Sequence, residues 1–168
     1  MAALSAGKQW RLLVVDDHEQ IRSALKRALS FEGYDVIAAG SGSRALDLLA
    51  KGVFDLVLLD VNMPDMDGFS VLEKIREAPQ LASMPVIMVT GVVDSQSVIR
   101  GKQLRVSDYL IKPYRIADLL ARVDRCLNVS LGLTFEELPA LDEAASPVAT
   151  VCEATAVKDD SEPLEPLP

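Results

Sequence analysis

Three carboxylates, a hydroxyl and an ammonium stand at the ends of apolar runs in this chain. Asp16 and Asp17 follow the run 12–15, Asp60 follows 56–59, Thr90 follows 86–89, and Lys112 follows 109–111. In an open parallel α/β sheet, ligands bind outside the carboxyl ends of the strands. If these runs are neighbouring parallel strands, all five side chains meet at one edge. Clustered carboxylates repel one another unless a cation lies among them, and a hard oxygen-donor set suits Mg²⁺. A lysine and a threonine beside that metal suit a phosphoryl group. The chemistry these residues point to is phosphoryl chemistry at a metal-bearing sheet edge.

The elements needed to hold that edge can be read along residues 10–128, where apolar runs alternate with helical periodicity, the pattern of repeated βα units. Strands are expected at 11–15, 35–39, 54–60, 85–90 and 107–111. The first helix carries Ile21, Ala24, Leu25, Ala28 and Leu29 on one face, and Gly33 stands where a left-handed helix end wants a glycine. Further helices are expected at 43–49, 69–76, 94–105 and 115–128. The helix over 94–105 has the weakest periodicity. The last has a clear stripe of Ile116, Leu119, Leu120, Val123 and Leu127. The third and fourth strands read as continuous apolar runs, as parallel strands covered on both faces do.

At 168 residues the chain is near the size of one domain, and it is 49% hydrophobic, enough for a core. Its apolar runs are far shorter than a membrane span. The first residues lack the basic and apolar regions of a signal peptide. Its two cysteines, Cys126 and Cys152, have no metal-ligand spacing and fit a reducing cytoplasm rather than a disulfide scaffold. Residues 1–128 hold 16 Lys+Arg and 16 Asp+Glu, so the net charge of -8 lies wholly in 129–168. A balanced domain with an acidic tail offers no basic face for direct nucleic-acid binding. The tail 129–168 has five prolines (Pro139, Pro147, Pro163, Pro166 and Pro168) and a composition expected to stay disordered. Within it, 134–138 resembles a capping box that Pro139 would interrupt; the alternative use is a docking peptide. The expected organisation is an extension 1–9, a domain 10–128 and the tail 129–168.

Four segments stand in order, each at the end of an apolar run: Val14-Val15-Asp16-Asp17-His18, Asp60-Val61-Asn62-Met63-Pro64-Asp65-Met66-Asp67-Gly68, Val89-Thr90-Gly91, and Asp108-Tyr109-Leu110-Ile111-Lys112-Pro113. On these, residues 10–128 resemble the receiver domain of two-component response regulators. The resemblance implies a flavodoxin-like, doubly wound five-stranded parallel sheet of order 2-1-3-4-5 with five helices. It implies that Asp60 is the phosphoacceptor, attacking the phosphorus of a sensor kinase's phosphohistidine to form an aspartyl phosphate. Asp16 and Asp17 match the Mg²⁺-binding acidic pair, with Asp60 and the Asn62 backbone carbonyl completing the metal shell. Lys112 matches the cation that neutralises phosphoryl oxygens, and Pro113 belongs to a Lys-Pro peptide that is often cis. Thr90 matches the switch hydroxyl, and Tyr109 the aromatic that turns into the space Thr90 vacates. The readout face would be the fourth helix, fifth strand and fifth helix, and a homodimer through it is an assembly the resemblance admits.

Blander readings stand beside these. Asp16 and Asp17 could simply cap the first helix. Asp65 and Asp67 suit a turn around Pro64 and Gly68. Thr90 could be an ordinary strand-end hydroxyl, Lys112 a solvated charge, and Tyr109 plain core or surface. Cys126 reads as packing and Trp10 as cover for the sheet's edge. His18, the single histidine, is not expected to be catalytic. Departures from the family pattern are Arg105-Val106 where Gly-Ala is usual, and Gly91 where alanine is common. A glycine at 105 would permit unusual backbone angles. Val92 and Asn62 lie two residues past Thr90 and Asp60 and should influence the lifetime of the phosphoryl group.

Two rival chemistries are visible. Gly40-Ser41-Gly42-Ser43-Arg44-Ala45 fits a dinucleotide-binding fingerprint, with Asp60 20 residues beyond Gly40. It follows the second strand rather than the first and leaves Asp16, Asp17, Thr90 and Lys112 unexplained, so it is read as a chance match in which Gly40 and Gly42 shape a turn and Ser41 or Ser43 caps the second helix. An aspartate-nucleophile phosphatase would also use Asp60 and Mg²⁺, but such enzymes need a second carboxylate where Asn62 stands. The expectation is a cytoplasmic, stand-alone receiver, because no helix-turn-helix, cyclase or phosphodiesterase pattern follows Leu127; the alternative is the receiver part of a longer regulator with a separate output domain. It would be a phosphoacceptor with self-phosphotransfer and autodephosphorylation rather than an enzyme with its own substrate. Its partners would be a sensor histidine kinase or phosphotransfer protein and a downstream protein, without membrane insertion.

Overall fold

The computed structural model describes residues 8–91 and 95–130. The segment 134–138 and most of the expected tail lie outside them. In chain order the elements are β1 (Arg11–Val15), α1 (Glu19–Phe31), β2 (Asp35–Ala39), α2 (Gly42–Lys51), β3 (Leu56–Asp60), α3 (Gly68–Glu77), β4 (Val86–Thr90), α4 (Ser95–Gln103), β5 (Asp108–Ile111) and α5 (Ile116–Ser130). Among the described residues they form one five-stranded sheet of order β2-β1-β3-β4-β5, with every pairing parallel. The expected flavodoxin-like topology is the observed one.

Alternation along the strands divides the core between two faces. Leu12, Val14, Leu58, Ile87 and Leu110 pack with Leu25 and Leu29 of α1 and Leu119, Val123 and Leu127 of α5. Leu13, Val15, Val57, Leu59 and Met88 pack with Leu49 of α2 and Val71, Leu72 and Ile75 of α3. β3 and β4 are buried at every position, as their unbroken apolar runs predict. Each fully buried leucine or isoleucine contributes about 1.5–3 kcal/mol relative to an exposed one. The sheet is therefore fixed most firmly in its central strand β3 and in β4.

The helix ends follow from local chemistry. Gly33 takes φ 94°. Its N–H donates to Ser30 O at 3.1 Å, and Tyr34 N–H donates to Leu29 O at 3.2 Å, the Schellman closure that a glycine in the left-handed region allows. α4 closes the same way: Arg105 N–H donates to Lys102 O at 3.2 Å and Val106 N–H to Gly101 O at 2.9 Å. Here the left-handed residue is Arg105, at φ 53°. The loop keeps a glycine-type backbone although its residue is an arginine, at a strain cost of about 1–2 kcal/mol.

Several boundaries move from their expected places. β3 starts at Leu56 rather than 54; just before it the Asp55 carboxylate accepts the Arg11 N–H at 2.8 Å, while the Asp55 N–H donates to Arg11 O at 2.8 Å. Pro85 lies outside β4; without an N–H it contributes only its carbonyl, which accepts from Val57 at 3.0 Å. α4 is shorter than 94–105 because the turn at Arg105 closes it, and α5 runs two residues past 128. Trp10 is buried in the face shared by α1 and α5, with Lys8 Nζ 4.1 Å from its ring centroid.

Candidate functional site

β1 and β3 are adjacent although β2 lies between them in sequence, so the strand order reverses at this point. Crevices outside such switch points are where α/β sheets bind ligands. The register aligns Val15 with Leu59, Asp60 with Val89 and Thr90 with Ile111. The residues just beyond these positions therefore reach one edge, as the sequence predicts.

Asp16, Asp60 and Thr90 are the polar residues buried to 3%, 2% and 3% exposure. Lys112 Nζ lies 3.1 Å from Asp60 Oδ1 and 3.2 Å from Asp16 Oδ2, donating to both. Lys112 is thus no solvated surface charge. The Lys112–Pro113 peptide is cis, and Lys112 N–H donates to Thr90 O at 2.7 Å, which ties the β5 end to the β4 end. Asp16 Oδ1 accepts the His18 N–H at 2.8 Å. His18, not either aspartate, occupies the α1 N-cap position, so the capping alternative for Asp16 and Asp17 does not hold. Arg22 of α1 donates to the Asp16 and Asp17 carbonyls at 2.7 and 3.2 Å, fixing the backbone that presents the pair.

The electrostatics follow from this burial. Desolvation pushes the Asp60 carboxyl above its ordinary range; the Lys112 hydrogen bond and charge pull it back, Asp16 adds to the rise, and the Asn62 backbone hydrogen bond lowers it. For Lys112, burial works against the charge, but the hydrogen bond and charge of Asp60, then those of Asp16, outweigh it and leave the ammonium above its ordinary value. A charged pair held in a dry edge is the arrangement that stabilises charge developing on a transferred group.

Asp17 Oδ1 is a buried carboxylate oxygen with no hydrogen-bond partner; His18 Nδ1 stands 3.0 Å from it without forming a hydrogen bond. An anionic oxygen left so is costly unless a cation meets it. Asp16, Asp17, His18 and Asp60 each offer a donor atom, and these lie within 4.8 Å of one another. The donor set fits a divalent cation. Sequence reasoning placed the three aspartates here but gave His18 no part. Its imidazole is 64% exposed and turns toward the pair from outside, which adjacency in sequence alone does not reveal. Asn62 is exposed, and its backbone N–H bonds the Asp60 carboxylate.

One glycine sets this geometry. A Cβ on Gly68 would stand 2.3 Å from Asp60 O and 2.9 Å from Val61 Cα, so only glycine lets α3 begin against the strand end that carries Asp60. Asp67 caps α3 by accepting from Ser70 N at 2.6 Å. The glycines of the rival fingerprint are absorbed by packing: a Cβ on Gly42 would meet Val71 Cγ2 at 2.5 Å, and Gly40 faces the Arg22 guanidinium. Ser41 caps α2, accepting from Arg44 N at 3.2 Å. Tyr109 is half-buried, and its hydroxyl donates to Ser97 O of α4 at 3.0 Å.

The model of the response regulator receiver domain matches residues 12–124. This chain is a member of that family. The receiver is 40% identical over 131 residues to response regulator MprA of a Mycobacterium species, covering 78% of this chain and 56% of that protein. It is 38% identical over 121 residues to a probable transcriptional regulator of Cyanidium caldarium, covering 72% and 47%. It thus spans about half the length of these curated relatives. Among solved structures, chemotaxis protein CheY4 of Vibrio cholerae is 32% identical with a TM-score of 0.69, covering 71% of this chain and all of that one. A CheY-like receiver from Methanospirillum hungatei is 31% identical with a TM-score of 0.71, covering 74% and 98%. Among the receiver's described residues no helix is long and apolar enough to cross a membrane, and the buried Cys126 thiol, pushed up to about 11 by burial, is a packing group as expected.

Proposed function

We propose that this receiver accepts a phosphoryl group on Asp60 from a phosphohistidine of a sensor histidine kinase or phosphotransfer protein. The observation that carries the reading is Asp60 Oδ1, buried at the strand-order reversal and 3.1 Å from Lys112 Nζ. The Asp60 carboxylate oxygen attacks phosphorus, the P–N bond breaks, and the imidazole leaves with a proton. Lys112 neutralises phosphoryl oxygens, and Thr90, at the adjoining strand end, bonds the phosphoryl group once it arrives. Mg²⁺, when bound by Asp16, Asp17, Asp60 and the Asn62 carbonyl, would supply charge neutralisation for the transfer. Thr90 and Tyr109 form the switch, and α4, β5 and α5 the face that a downstream protein reads. Ile99, 57% exposed on α4, is an apolar contact that face offers to a partner or to a second copy. In this reading the chain transfers to and hydrolyses only its own phosphoryl group, in the cytoplasm, and needs no direct nucleic-acid contact.

The test is incubation of the purified protein with acetyl phosphate or phosphoramidate, with and without Mg²⁺, read by intact mass. One phosphoryl adduct that requires Mg²⁺, is base-labile, and is lost in Asp60→Asn is expected. An adduct of equal yield in Asp60→Asn would overturn the assignment.

A further inference from the structure

α4 is poorly equipped to be a helix, and its contact with the sheet is unusual. Its sequence includes Ser95, Ser97, Val98 and Ile99, and a glycine at 101. A glycine inside a helix weakens its folding equilibrium about five-fold relative to alanine. Yet Gly101 is, among the described residues, the buried residue of α4. The reason lies across the gap in β5. A Cβ on Gly101 would stand 1.6 Å from the Tyr109 hydroxyl oxygen and 2.7 Å from Cζ. The same hydroxyl donates to Ser97 O, one turn earlier in the helix, at 3.0 Å. The tyrosine thus fills a notch that only glycine leaves open. The clash is with the tip of a side chain, so a larger residue at 101 would displace Tyr109 rather than unfold the strand behind it.

We propose that Gly101 is a positioning residue of the switch: its notch seats Tyr109, and seating Tyr109 holds α4 in order. Resting on the phosphoacceptor reading above, the seat makes α4 the element that answers to the site. With Tyr109 seated, the helix has a hydrogen bond and a filled contact at its buried point. With Tyr109 withdrawn, the helix keeps a glycine over an empty notch and loses both. The surrounding contacts do not replace them. Arg100 pairs with Glu73 at 2.8 Å and lies over Phe69, 4.9 Å from its centroid, but this anchor points toward α3 and is independent of β5.

The test is amide hydrogen exchange of 97–103 in the full chain, in wild type, Tyr109→Ala, Gly101→Ala and the double variant. Without any phosphodonor, Tyr109→Ala is expected to speed exchange of these amides about five-fold or more in wild type. In the Gly101→Ala background, where Tyr109 is already displaced, the same change should leave exchange within about two-fold. Equal acceleration in both backgrounds would mean that residues 101 and 109 act independently and would overturn the proposal. If Gly101→Ala alone fails to fold, the double variant, which removes the clashing hydroxyl, should regain folding; failure to regain it also overturns the proposal. A second arm adds phosphodonor and Mg²⁺. Exchange of α4 should change on Asp60 phosphorylation in wild type and not in Gly101→Ala; an equal change in both overturns the seat. If wild type takes no phosphoryl group, the phosphoacceptor reading fails, while the coupling between 101 and 109 is still read from the first arm.

Discussion

At the β1–β3 edge, Asp60 is carried by a strand buried at all of its positions, and α3 begins in contact with that strand's backbone through Gly68. At the β4–β5 edge, Tyr109 is carried by a four-residue strand of which Leu110 is the fully buried member. The helix beside it has a serine-containing first turn, a glycine in its last turn and a left-handed arginine just past its end. The first region is held by contacts that leave no alternative. The second is held by fewer buried contacts. Charges that must stay near one another need the first kind of support, since moving a carboxylate by an ångström costs heavily at low dielectric. A surface that must exist in two arrangements needs the second, because a ligand can bias only states a few kcal/mol apart.

The contrast breaks most visibly at Gly68. Gly68→Ala forces a Cβ into the Asp60 main chain and should cost about 3 kcal/mol in urea denaturation; a loss below about 1 kcal/mol would show that the Asp60 edge yields as readily as α4 does. Adding Mg²⁺ sharpens the contrast from the other side. At a hundred times its dissociation constant the ion should stabilise the protein by about 2.7 kcal/mol, and Asp17→Asn should remove most of that gain in a thermal scan. In the marginal region, Arg105→Gly should stabilise by about 0.5–1 kcal/mol, since glycine accepts φ 53° without strain while adding freedom to the unfolded chain. A destabilisation there would mean that the arginine side chain holds the turn.

The smallest effect concerns pH. Burial raises Asp60 above 3.8. A group raised in this way gives its full contribution below the unfolded value and loses it as pH climbs through the folded one. Without metal, Asp60→Asn should therefore gain on wild type as pH rises from about 3.8 upward, reaching a few degrees of Tm near neutrality. Mg²⁺ should reverse the order. A variant that is equally stable at every pH would show that Lys112 fully offsets the burial of Asp60.

The difference between the two regions also decides what could be read from sequence. β1 and β3 announce themselves, because their continuous apolar runs end on charged residues. Gly33 was equally legible, since its place after an amphipathic helix has one common use. α4 was legible only as weak periodicity; its serines and glycine carry no stripe, and its end is fixed by a turn that an arginine occupies against preference. The Gly101–Tyr109 contact could not be read at all, because it joins α4 to β5 through a close approach that exists only in three dimensions. His18 was set aside for a related reason: the direction of an exposed imidazole is decided by the α1 N-terminus, not by the residue's neighbours in sequence.

Arg76 of α3 donates to the carbonyls of Leu104, Met84, Arg105 and Leu81, at 2.8, 2.9, 3.0 and 3.4 Å. Every one of these acceptors is main chain. The guanidinium therefore recognises the path of the β4 and β5 approaches and is indifferent to the side chains along it. The hold that Arg76 has on this loop therefore does not depend on the exposed Arg105 side chain.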